Sequence, residues 1–169
     1  LQIASPDQGV EEICKSLPCD SKPFGITLHL SSHYDLLDVS ISLVVQRFSN
    51  LKSITLHTND IGDLDQFFHG IKDKFYTLQC IRVNKASSLT DKGAFNISQN
   101  HHKIRFLDLY ECISLSDRGI NFLSQNCTDL EELQISWCDN LTDDAIVNLT
   151  KLCPKISPLH IGASNNIMD

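Results

Sequence analysis

Between Ile104 and Lys155 the chain writes one pattern twice, and this repetition constrains its fold more than any other feature. IRFLDLYECISLSDRGINFLSQNCTD is followed without a gap by LEELQISWCDNLTDDAIVNLTKLCPK, each of 26 residues. Leu107 and Leu109 correspond to Leu133 and Ile135, Cys112 to Cys138, and Ser116-Asp117 to Thr142-Asp143. Ile120 and Leu123 correspond to Ile146 and Leu149, and Cys127 to Cys153. A period of this length belongs to stacked architectures, in which one unit cannot bury its apolar face alone and gains a core only by packing on its neighbours.

The period extends beyond the two clearest copies. Units begin at residues 51, 78, 104, 130 and 156, a spacing of 27, 26, 26 and 26. This divides a single domain, residues 1–169, into repeats at 23–50, 51–77, 78–103, 104–129 and 130–155. Residues 1–22 read as a partial repeat or an N-terminal cap, and 156–169 as a terminal strand or partial repeat. In the first segment Ser5-Pro6 predicts a helix start, with Val10, Ile13 and Leu17 on one face. Ile26, Leu28 and Leu30 alternate as a strand does, and Val39, Leu43 and Phe48 belong to a following helix. ISPLHIG, from Ile156, is the last expected strand; Pro158 lacks an N–H and suits a sheet edge.

Within a unit, positions 1, 4 and 6 are apolar, so a strand places 4 and 6 inward and 3, 5, 7 and partly 8 outward. Position 9, Cys112 or Cys138, is small enough for the place where the chain turns off the sheet. Positions 13 and 14 are Thr90-Asp91, Ser116-Asp117 and Thr142-Asp143. The hydroxyl can cap a helix and the aspartate favours the positive end of its dipole. Stacking such units pairs the strands in parallel and lines up the helices behind them. The fold class is therefore α/β, a repeat solenoid of about five units.

Composition narrows the function classes. A hydrophobic content of 41% suits a globular domain, and a net charge of −7 with pI near 5.4 argues against nucleic acid or an anionic membrane as partner. No apolar run approaches a membrane span, and LQIASPDQGVEE lacks the regions of a signal peptide. Seven cysteines, at least four of them placed by the repeat, read as small buried apolar residues rather than a disulfide framework. This favours a reducing, intracellular setting, the cytoplasm first, in which the sequons at Asn96, Asn126, Asn140 and Asn148 are incidental. No close cysteine pair suggests zinc; Cys14 and Cys19 are the nearest. Cys80, on the outward face, is the one candidate reactive thiol, and His101-His102 falls at a solvent-facing helix end. With no phosphate loop, G-x-S-x-G elbow or H-E-x-x-H, neither catalysis nor a cofactor is expected.

The stretches LDLYECISLSDRGINFLSQNC and LQISWCDNLTDDAIVNLTKLC resemble the cysteine-containing leucine-rich repeat of F-box/leucine-rich-repeat proteins. The resemblance is specific across residues 78–161 and looser across 24–77, where Asn59 replaces the cysteine. It implies a right-handed arc with parallel strands on the concave side and helices on the convex side. It also implies that the concave surface recruits a protein substrate, while an F-box outside this sequence docks on a ubiquitin ligase adaptor. Mitochondrial assembly factors and ciliary proteins use the same repeat type, so a structural or assembly subunit is the alternative.

The outward strand positions supply the candidate site. Phe106, Tyr110 and Trp137 lie on two adjacent strands beside Arg82, Asp108 and Gln134. Aromatic side chains and arginine are the usual anchors of protein interfaces. These six residues are the expected centre of a protein-binding surface. The plainer reading is that Phe106 packs on a neighbouring loop and Trp137 is half buried at the turn.

Overall fold

The computed structural model describes residues 2–3, 24–30, 51–58 and 63–167, apart from 72, 75 and 101; for 2–3, 24–30, 57–58 and 100 it describes the backbone alone. Its strands are β1 (Gln2–Ile3), β2 (Phe24–Leu30), β3 (Leu51–Thr58), β4 (Cys80–Asn84), β5 (Phe106–Asp108), β6 (Glu132–Gln134) and β7 (Leu159–His160). Its helices are α1 (Leu64–Ile71), α2 (Asp91–Asn100), α3 (Asp117–Asn126) and α4 (Asp143–Leu152). The strands form one sheet in the order β1-β2-β3-β4-β5-β6-β7, every neighbouring pair parallel. From β3 onward one helix lies between each strand and the next, so the molecule is α/β with a sequentially ordered parallel sheet. The helices expected over residues 7–17 and 38–48, together with Cys14, Cys19, Asn59 and His101, lie outside the described residues.

The apolar periodicity explains the core. Ile54, Ile81, Leu107, Leu133 and Leu159 stand in one register row across β3 to β7. Leu56, Val83, Leu109 and Ile135 follow two residues later, and all of these but the part-buried Leu159 are closed to solvent. The helices turn Phe68, Ile97, Ile120, Leu123 and Leu149 onto this row, giving one continuous core. Cys112, Cys127, Cys138 and Cys153 are buried within it, as the repeat predicts. Cys112 and Cys138 donate to the carbonyl oxygens of Val83 and Leu109, each at 3.3 Å, tying the turn to the preceding strand. Ser164 holds the same place in the next unit and donates to Ile135 O at 3.3 Å.

Three expectations are corrected. Cys80 is buried, not accessible: its short side chain stands between Ser53 and the much larger Phe106 in register and does not reach solvent. Tyr110 and Trp137 do not sit on strands, because β5 and β6 end at Asp108 and Gln134. The side chains at those two places take the next-but-one backbone N–H, from Tyr110 at 3.1 Å and Ser136 at 2.9 Å, and turn the chain. The last strand begins only at Leu159, since Pro158 has no N–H to give.

The hydroxyl–aspartate pair also does something the pattern leaves out. Thr90 and Ser116 cap their helices, accepting from Lys92 N at 3.2 Å and Arg118 N at 3.3 Å. Asp91 and Asp117, and Asp65 at the start of α1, however, reach forward to the next unit. Asp65 accepts from Thr90 N and Oγ1 at 2.9 and 2.5 Å, Asp91 from Ser116 N and Oγ at 2.9 and 2.6 Å, and Asp117 from Thr142 N and Oγ1 at 2.8 and 2.6 Å. One carboxylate thus locks two successive helix starts together.

Candidate functional site

The outward face of the sheet is built by register. Position 5 of successive units aligns Thr55, Arg82, Asp108, Gln134 and His160 across β3 to β7. Position 3 aligns Ser53, Cys80, Phe106 and Glu132. Neighbouring strands lie about 4.8 Å apart, so side chains in one row are within reach of each other. Arg82, Phe106, Asp108, Glu132, Gln134 and His160 line a cleft of about 110 Å3.

Four of the six expected residues, Arg82, Phe106, Asp108 and Gln134, meet there. Tyr110 and Trp137 do not line the cleft; they follow the strand ends, in turns. Tyr110 is half-buried, while Trp137 is 49% exposed with φ of 63°, a left-handed backbone that swings its ring off the sheet. Glu132 and His160, outward by the strand pattern, complete the cleft although neither counted among the six. Asn84 was also outward, and with its amide turned to the orientation that satisfies both groups its nitrogen donates to Asp108 Oδ1 at 3.0 Å. Which outward residues converge depends on inter-strand register, which no single unit of sequence contains.

Asp108 is the electrostatic centre. Burial pushes its carboxyl above the ordinary aspartate value, against the Tyr110 N–H, the Arg82 charge and the Asn84 amide, which favour the ionised form; Glu132 adds repulsion. Beside it, Arg105 forms a bidentate pair with Glu131 at 2.7 and 2.6 Å and places its guanidinium 5.7 Å from the Phe106 ring centre. Lys85 and Glu111 stand 3.9 Å apart at the turn end of the same face. The face therefore offers a guanidinium, two carboxylates, an amide and an imidazole around one aromatic ring.

Among the described residues, no group of three or more His, Cys, Asp and Glu side chains is arranged to hold a metal ion, and no helix is long and apolar enough to cross a membrane. No protein-family model matches the sequence, and no curated protein matches it.

Proposed function

We propose that the chain is a protein-recognition module of the cysteine-containing leucine-rich-repeat type, whose sheet face receives a partner protein. The observation that carries this reading is the row Arg82–Asp108–Gln134–His160 beside Phe106, spanning four strands on one face. Charged, amide and aromatic groups gathered on a rigid sheet make up a recognition surface, with Phe106 and Arg82 as anchors and Trp137 at the rim. The more specific reading, substrate recognition for an F-box-type ubiquitin ligase, rests on the sequence resemblance in residues 78–161.

Affinity purification of the natural full-length chain, wild type beside the double variant Arg82→Glu/Phe106→Ala, tests both levels. The expected result is one or more partners depleted by about tenfold or more in the variant, the loss of an anchor being worth more than about 1.4 kcal/mol. An unchanged partner set, with the variant folded by circular dichroism, overturns the sheet face as the site. Recovery of a cullin scaffold and its adaptor supports the ligase reading. Stoichiometric recovery of one fixed assembly without ligase components replaces it with a structural subunit.

A further inference from the structure

A second surface departs from the repeat in a way that packing does not require. At one helix position successive units carry Lys92, Arg118 and Asp144; at another they carry Phe95, Asn121 and Val147; at a third, the buried Asn96, then Phe122 and Asn148. At these three positions bulky aromatic rings and cations therefore coincide on α2 and α3 but not on α4. Phe95 remains 41% exposed, and its ring meets Phe122 edge-on at 5.1 Å and 71°. The Arg118 guanidinium lies 5.4 Å from the Phe122 ring centre. With Asp91 and Lys92 these residues line a cleft of about 270 Å3, more than twice the volume of the 110 Å3 cleft on the sheet.

The charge in this cleft is positive on a chain whose net charge is −7. Both oxygens of Asp91 are engaged by Ser116, whereas Lys92 and Arg118 form no ion pair with any described residue. A pair made only to pack two helices would be closed to solvent and would need no cations beside it. An apolar wall with two uncompensated cations at its edge instead complements a chain segment of opposite charge carrying a bulky apolar side chain.

We propose that the α2–α3 cleft is a second docking site, which takes an acidic segment of a partner protein by seating one apolar or aromatic side chain against Phe95 and Phe122 while flanking carboxylates pair with Lys92 and Arg118. This site lies on helices, not on the sheet, and stands independently of the sheet-face reading.

The test is amide-shift mapping on the 15N-labelled full chain with a synthetic dodecapeptide, a central leucine–phenylalanine pair flanked by glutamates. The expected result is saturable shifts centred on Lys92, Phe95, Arg118 and Phe122, with binding weakened about tenfold or more by Arg118→Glu and by Phe95→Ala. Lys151→Glu, on α4, leaves binding unchanged. Both Phe95 and Arg118 are exposed, so each variant keeps its fold, checked by circular dichroism. No shift at about 1 mM peptide, shifts confined to the sheet face, or equal binding of the same peptide flanked by lysines each overturns the proposal.

Discussion

Asp91 looks like a helix-start residue and acts as a clamp between two helices. Its carboxylate binds both the N–H and the hydroxyl of Ser116, 25 residues away. Gly119 makes room for it: a methyl there would lie 2.5 Å from Asp91 Oδ1. In the following unit Ala145 takes the glycine's place, and Asp117 still holds Thr142, but Thr142 makes no side-chain cap bond to its helix. Asp91→Ala is therefore expected to lower stability by about 2 kcal/mol, the loss of charge-assisted hydrogen bonds. Gly119→Ala trades a cap worth about 1 kcal/mol for a gain in helix propensity of similar size and shifts stability by less than about 1 kcal/mol. Urea unfolding of the two variants distinguishes them; an unchanged midpoint for Asp91→Ala would refute the clamp.

The thiols make a second prediction at this scale. Burial pushes Cys127 up to about 12 and Cys138 and Cys153 up to about 11, with Cys112 raised as well. The thiolate is the reactive form, so these groups are inert near neutral pH. In a chain with Cys14→Ser and Cys19→Ser, iodoacetamide at pH 8 is expected to modify none of the five remaining cysteines until denaturant is added. Rapid labelling of the native chain would contradict their burial. Asp108 gives a pH signature. Its folded value is raised, so the folded state holds the proton longer than the unfolded one, and ionisation costs stability. That contribution falls as pH rises from the ordinary 3.8 through the raised value, and Asp108→Asn is expected to flatten stability over this window. An identical pH profile in the variant would show that Asp108 ionises without penalty.

At the scale of elements, the strands end by a device repeated at 26-residue intervals. Lys85, Glu111, Trp137 and Ala163 all have φ between 58° and 63°, and none is glycine. The N–H groups of the first three continue the ladder, donating to the carbonyl oxygens of Tyr110, Ser136 and Gly162 at 2.8, 3.0 and 3.2 Å. The chain thus tolerates a left-handed residue to keep strand pairing while turning toward the helix, at roughly 1 kcal/mol per site. Ala163→Gly is expected to raise stability by about 0.5 kcal/mol, the relieved strain exceeding the extra freedom of the unfolded chain. A lower urea midpoint for this variant would count against strain at the turn. The same geometry exposes Trp137, so its display on the surface follows from the backbone of its element.

At the scale of the molecule, the principal contacts between elements join each strand to the next strand and each helix to the next helix. Ion pairs also bridge like positions of successive units: Arg105–Glu131 and Asp129–Lys155 are each 26 residues apart. A chain built this way depends on nearest-neighbour interfaces. Excision of residues 104–129 joins Lys103 to Leu130 and presents Thr142 to Asp91 in place of Ser116, and Cys138 to Val83 in place of Cys112. The shortened chain is expected to fold cooperatively with a reduced urea midpoint and to lose the sheet-side cleft, which Phe106 and Asp108 line. Collapse of the fold would mean that contacts beyond neighbouring units are essential.

How far the sequence determined this protein follows from where each constraint is stored. Leu107, Leu109, Leu133 and Ile135 carry a period of two inside a period of 26, so alternating strands and helices, their parallel pairing and the burial of Cys112 and Cys138 are local properties and were legible. Arg82, Phe106, Asp108 and Gln134 were legible as one face for the same reason. The burial of Cys80, the departure of Tyr110 and Trp137 from the strands, the forward reach of Asp91 and the convergence of Glu132 and His160 on Asp108 were not. The turn of the chain at Tyr110 and Trp137 is set by side chains two residues back along the backbone, Asp108 and Gln134, while the others depend on what lies across a unit boundary: a neighbour's side-chain size, a carboxylate 25 residues upstream, a strand's register. A repeat states what every unit shares, and only the tertiary structure decides what adjacent units do to each other.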